Sequence, residues 1–137
     1  MKAEIEVKLR ELKKYAQLLN GYKKESISSL EKNPTLRGAV ERYLQLSIEI
    51  VIEIGEMIIA NRGFRKPETY REVIELLGEE DVIQKAFAKK LAPAAGFRNI
   101  LIHRYGEVKI EELYRHLQND IKDFDTFAKQ ISSYLKG

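Results

Sequence analysis

The chain has 137 residues, enough to bury a real core in one domain, and 44% hydrophobic against 33% charged residues excludes wholesale disorder. It has no Cys, which removes disulfides, thiol nucleophiles, zinc fingers and iron–sulfur ligation, and its two His are too few for an all-His metal site. The net charge is only +3, yet residues 84–109 hold six Lys or Arg against one Glu, a concentration that suits an anionic partner or a solvated helix face.

The periodicity predicts helices throughout, in a single domain spanning 1–137. Ile5, Leu9, Leu12, Ala16, Leu19, Ile27 and Leu30 keep a helical period, so a first helix is expected over about 3–32, with Gly21 as a possible kink. Its first residues alternate charge with apolar groups and carry no apolar core segment, which is unlike a secretion signal. Pro34 marks a boundary.

A second helix is expected over 35–61. Leu36, Val40, Tyr43, Leu44, Ser47, Val51, Ile54 and Ile58 line one side, and Ile48, Ile50, Ile52 and Ile59 widen the apolar arc. A strand at 48–54 is the alternative, but Glu49, Glu53 and Glu56 recur at spacings of four and three rather than two. Those carboxylates read as solvent-facing or interface groups, and the wide arc as a helix buried on several sides or at a subunit contact. Their charge also makes this apolar stretch unfit to cross a bilayer, so a cytoplasmic location without membrane contact is expected.

Gly63 is placed for a left-handed cap, and Thr69 with Glu72 for a capping box ahead of a short helix over 70–77, which Gly78 ends. A helix over 80–104 follows, with a kink or fresh start at Pro93 and a stop at Gly106. A last helix over 109–135 carries Leu113, Leu117, Ile121, Phe124, Ala128, Ile131 and Leu135 as its stripe. These elements define an all-α fold, a compact up-and-down bundle of four or five helices.

The chemically unusual string is Phe97-Arg98-Asn99-Ile100-Leu101-Ile102-His103-Arg104-Tyr105-Gly106. Asn99 and His103 stand four apart and share a helix face, whereas Arg98 and His103, five apart, diverge by about 140° at about 100° per residue. Arginine holds phosphate through two parallel hydrogen bonds, and histidine is the residue type suited to proton exchange near neutral pH. Metal-independent RNA cleavage needs a base for the 2′-hydroxyl, charge stabilisation at phosphorus and a proton for the leaving oxygen. One His supplies part of this, and a symmetric dimer would supply a second set. On residue chemistry alone, catalysis, phosphate binding and a structural role as cap or surface pair all stand. His116, in the last helix, reads as structural. There is no P-loop, dinucleotide fingerprint or H-E-x-x-H motif, and neither a metal nor an organic cofactor is expected.

Arg98, four residues, His103, Arg104 and Tyr105 match an R-x4-H-x-Y motif. With the strings at 36–79 and 97–108, the chain resembles the HepT-like branch of the HEPN superfamily over roughly residues 5–135. The resemblance implies a HEPN-like helical bundle that forms homodimers. It implies an endoribonuclease, the toxin of a toxin–antitoxin pair, with Arg98 and His103 as catalytic residues. It further implies a cognate nucleotidyltransferase of the MntA type, which neutralises the toxin by adding AMP to Tyr105. RNA, not DNA, is the expected nucleic acid. Asn99, Arg104, Lys85, Lys89, Lys90 and, from its "AVER" context, Arg42 are the supporting or RNA-binding candidates. A second reading is a non-enzymatic accessory subunit that binds substrate for the nucleotidyltransferase.

Overall fold

The computed structural model describes residues 1–104 and 107–137, and among them it contains six helices and no strand. They are α1 (Lys2–Tyr22), α2 (Ile27–Lys32), α3 (Pro34–Arg62), α4 (Tyr70–Glu79), α5 (Lys85–His103) and α6 (Ile110–Lys136). α3 packs against every other helix and forms the centre of the bundle. Its Ile48, Ile50, Val51, Ile52, Ile54, Ile58 and Ile59 are all buried within one chain. A β-branched residue costs a few tenths of a kcal/mol in helix propensity, whereas burying its side chain contributes roughly 1.5–3 kcal/mol. Packing therefore overrides the strand alternative. The wide arc is consumed inside the bundle, so it gives no sign of a subunit contact.

The first expected helix is two. Ser26 adopts an extended backbone and its Oγ accepts a hydrogen bond from the Ser29 N–H at 3.1 Å, capping α2. Leu19 and Leu30 are eleven residues apart, close to three full turns, so the apolar pattern runs on in phase across a break it cannot register.

α3 begins as expected at Pro34, with the Asn33 side chain accepting from the Leu36 N–H at 3.1 Å, and Gly63 closes it in the left-handed region at φ 69°. Thr69 caps α4 by accepting from the Glu72 N–H at 3.0 Å. Glu72 does not complete the box. Its carboxylate accepts from the Glu68 N–H and pairs with Arg65, which holds it below its ordinary pKa, followed in effect by the backbone bond.

Gly78 is not a stop. It lies buried inside α4, where a Cβ would come within 2.6 Å of the Ala88 Cβ, so its role is close approach of α4 and α5. The chain turns instead at Asp81, with φ 57°, and α5 starts later than expected, at Lys85. Pro93 does not restart the helix, because α5 runs through it from Lys85 to His103. It sits on the exposed side of α5, where water can satisfy the carbonyl its missing N–H would have served. No helix here is long and apolar enough to cross a membrane, among the described residues.

Candidate active site

The motif occupies the last turns of α5. Phe97 and Leu101 are buried and fix the helix to the core, and this leaves Asn99, His103 and Arg104 exposed, with Arg98 partly buried between. The Arg104 N–H donates to the Ile100 carbonyl at 3.0 Å and ends the helix just after His103.

Arg98 is held from two other helices. Its Nε lies 3.9 Å from Glu49 Oε1 on α3, and its guanidinium carbon sits 4.6 Å above the centre of the Tyr70 ring, at the start of α4. Its Nη1 lies 3.5 Å from Asn99 Oδ1. Glu49 in turn accepts from Gln45 Nε2 at 3.0 Å. Farther along α3, Arg37 donates through Nε to Glu41 at 3.0 Å and through Nη2 to the Val108 carbonyl. α3 thus anchors both Arg98 and the segment that follows the motif. Tyr105 lies outside the described residues.

Glu53 and Glu56 are exposed, as expected of solvent-facing groups, whereas Glu49 is partly buried. Glu49 faces Arg98, and Glu53 bonds Lys8 on α1 at 2.6 Å. The missed signal is a polar ridge at spacings of four, Arg37, Glu41, Gln45, Glu49 and Glu53, of which Glu49 and Glu53 meet side chains of other helices.

The basic window is less uniform than its charge implies. Lys85, Lys89 and Lys90 are all exposed, and Lys85 pairs with Asp81 at 3.0 Å and Lys90 with Asp123 at 3.3 Å. All three lie on the first half of α5; Lys89 precedes Arg98 by about 13 Å along the axis at 1.5 Å per residue. They are not brought into the motif cluster. Arg42 is exposed on α3, two turns before Glu49 and on the same side of the helix. A groove of about 860 Å³ between α1 and α6, floored by Leu12, Ala16, Phe124 and Ala128, includes none of the motif residues. Among the described residues, no cluster of three or more His, Asp or Glu is placed to hold a metal ion.

His116 is structural and does have a partner. Its Nδ1 lies 2.8 Å from Asp120 Oδ2, one turn on, and its ring stacks on Phe97 with centroids 4.0 Å apart. The stack ties α6 to the motif helix at Phe97, the residue before Arg98. Nearby, burial pushes the Asp123 carboxyl above its ordinary pKa of 3.8, with Asp120 adding to the rise and Lys90 and Lys122 opposing it. The folded protein therefore holds this proton more tightly than the unfolded chain. The associated stability is fully present below the unfolded value and is lost as pH rises through the folded one. Asp123→Asn, which mimics the neutral acid, is expected to gain thermal stability relative to the wild type between pH 4 and pH 7. Melting curves in which the difference shrinks or reverses with rising pH would contradict this.

The profile of the family described as Ribonuclease HepT-like matches residues 5–131, nearly the whole chain. The chain belongs to the ribonuclease HepT-like family. It is similar to a tRNA nuclease HepT from Aphanizomenon flos-aquae, 26% identical over 131 residues, covering 96% of this chain and 89% of that protein. It is also similar to an mRNA nuclease HepT from Shewanella oneidensis, 26% identical over 106 residues, covering 77% and 80%. Among solved structures, the cytosolic protein YutE of Bacillus subtilis superposes with a TM-score of 0.86 at 23% identity, covering 98% of this chain and 90% of YutE. The tri-AMPylated Shewanella oneidensis HEPN toxin, solved in complex with an MNT antitoxin, superposes with a TM-score of 0.83 at 24% identity, covering 94% and 96%. At these identities the superpositions establish a shared HEPN-like helical fold.

Proposed function

We propose that this protein is a metal-independent endoribonuclease, the toxin of a toxin–antitoxin pair, neutralised by a cognate MntA-type nucleotidyltransferase that adds AMP to Tyr105. The observation that carries this is the end of α5. A partly buried, braced Arg98 and an exposed His103 stand together on it, in a chain whose relatives are named as nucleases. The accessory-subunit reading is not favoured, because it gives the braced arginine and the exposed histidine nothing to do.

The chemistry follows from the groups available. A ribose 2′-hydroxyl loses its proton to a base, its oxygen attacks phosphorus, and the bond to the 5′-oxygen breaks as that oxygen takes a proton. Histidine suits either proton transfer. Arg98 supplies positive charge and directed N–H groups as negative charge builds on the phosphoryl oxygens. DNA lacks the attacking hydroxyl and is not a substrate. Asn99 and Arg104 flank the scissile phosphate, and Lys89 and Arg42 extend the track for the strand.

Arg98 and His103 diverge around α5, so one copy does not surround a phosphate with both. A homodimer that apposes two α5 ends supplies Arg98 and His103 from both sides. The motif helix is therefore placed at the dimer face, and the protein acts in the cytoplasm.

Cleavage of RNA by the purified protein is expected to survive EDTA. Activity that disappears on chelation and returns with Mg²⁺ would overturn the mechanism. A modest effect of Mg²⁺ is consistent with it, because the ion also screens phosphate.

A further inference from the structure

We propose that Glu49 and Tyr70 are positioning residues for the ribonuclease reaction, acting through Arg98; this rests on the ribonuclease reading above. An arginine side chain has several rotatable bonds, and at a helix end it samples many orientations unless something holds it. Here the two ends of the guanidinium meet different surroundings. The Nε edge faces the Glu49 carboxylate at 3.9 Å, and the flat face lies over the Tyr70 ring at 4.6 Å. The Glu49 contact is made at Nε and not at the Nη groups, of which Nη1 lies 3.5 Å from the exposed Asn99 side chain.

The brace is itself braced. Glu49 is fixed by Gln45 one turn before it, and Tyr70 is the first residue of α4, set by the Thr69 cap. The side chains of Arg98 and Glu49 are only 20% and 26% exposed, so solvent screens this pair less than a surface ion pair. The 3.9 Å separation is longer than a hydrogen bond. Glu49 therefore steers the guanidinium by charge without occupying the donors a phosphate needs. The ring adds a cation–π contact that favours one plane of the guanidinium. Three helices converge on one functional group, and only Arg98 itself belongs to the linear motif.

A defined RNA oligonucleotide serves as substrate, and kcat and KM are measured separately. Glu49→Gln and Tyr70→Leu are each expected to lower kcat by about tenfold or more while KM changes by less than about threefold, the signature of a misaligned group rather than lost binding. Tyr70→Phe keeps the ring and is expected to restore the kcat lost in Tyr70→Leu. Glu49→Gln introduced into Arg98→Ala is expected to cause no further loss, because the residue through which it acts is gone.

Wild-type kcat in Glu49→Gln, or a loss that multiplies with that of Arg98→Ala, would overturn the proposal. If Glu49→Gln fails to fold by circular dichroism, Gln45→Ala, which releases Glu49 without removing it, takes its place with a smaller loss expected. If the wild type cleaves no RNA, the ribonuclease reading fails by itself. The brace is then judged by nitrogen-15 NMR of the arginine side chains. An Arg98 Nε–H signal slowed in water exchange, and released by Glu49→Gln, supports it, and an unaltered signal overturns it.

Discussion

RNA cleavage by His103→Ala is expected to fall by about 10²–10⁴-fold, the usual worth of a positioned acid–base group, with the fold unchanged. The side chain is exposed at the end of α5 and makes no hydrogen bond or ion pair with another described residue. Substitution at such a position alters stability by no more than about 0.5 kcal/mol. Loss of activity thus reports chemistry rather than unfolding, a separation that Phe97→Ala, in the core beneath the motif, would not give. Cleavage of a labelled RNA, alongside melting curves for both proteins, checks the claim. Undiminished cleavage by the alanine variant would remove His103 from the mechanism and, with it, the reading of the motif as an active site.

The motif is readable as a string because it is contiguous: Arg98, Asn99, His103 and Arg104 fall within the last two turns and the cap of α5, although Arg98 and His103 point to different sides of it. Glu49 and Tyr70 reach the same place from α3 and α4, and no spacing within either helix announces the encounter. The long elements were legible for a related reason. The stripe of α6, from Leu113 to Ile131, and the ends of α3 at Pro34 and Gly63 are local features. Where the reading failed, a tertiary or backbone effect overrode a local one. Gly78 looked like a terminator but is a contact glycine, its missing Cβ making room for Ala88. Pro93 looked like a breaker, yet an exposed position lets solvent take up the lost backbone bond. Lys85 and Lys90 stay exposed while each meets a carboxylate, Asp81 one turn before and Asp123 from a different helix, and that second encounter has no mark in the sequence.

Tyr105→Phe is expected to escape neutralisation by the cognate nucleotidyltransferase while its RNA cleavage persists. Tyr105 follows His103 by two residues and Arg104 by one, immediately past the end of α5. On the proposed reading, AMP on its oxygen adds an anionic phosphodiester and a nucleoside within two residues of His103 and Arg104 in the chain. Charge-assisted hydrogen bonds from arginine to phosphate are strong, so the adduct competes with the RNA backbone for the same cations and fills the space the strand needs. On the proposed reading the phenol is the group modified and takes no part in proton transfer, so its removal is expected to abolish the modification and spare cleavage. His103→Ala gives the complementary pattern, losing cleavage while still accepting AMP. Intact-mass measurement after incubation with the partner, ATP and Mg²⁺ checks both. Additions of about 329 Da each, the mass of one adenylyl group as a charge-changing modification, are expected on the wild type and on His103→Ala but not on Tyr105→Phe. Equal labelling of the phenylalanine variant would move the modification to another residue, and neutralisation of that variant without labelling would show that the partner silences the toxin by binding alone.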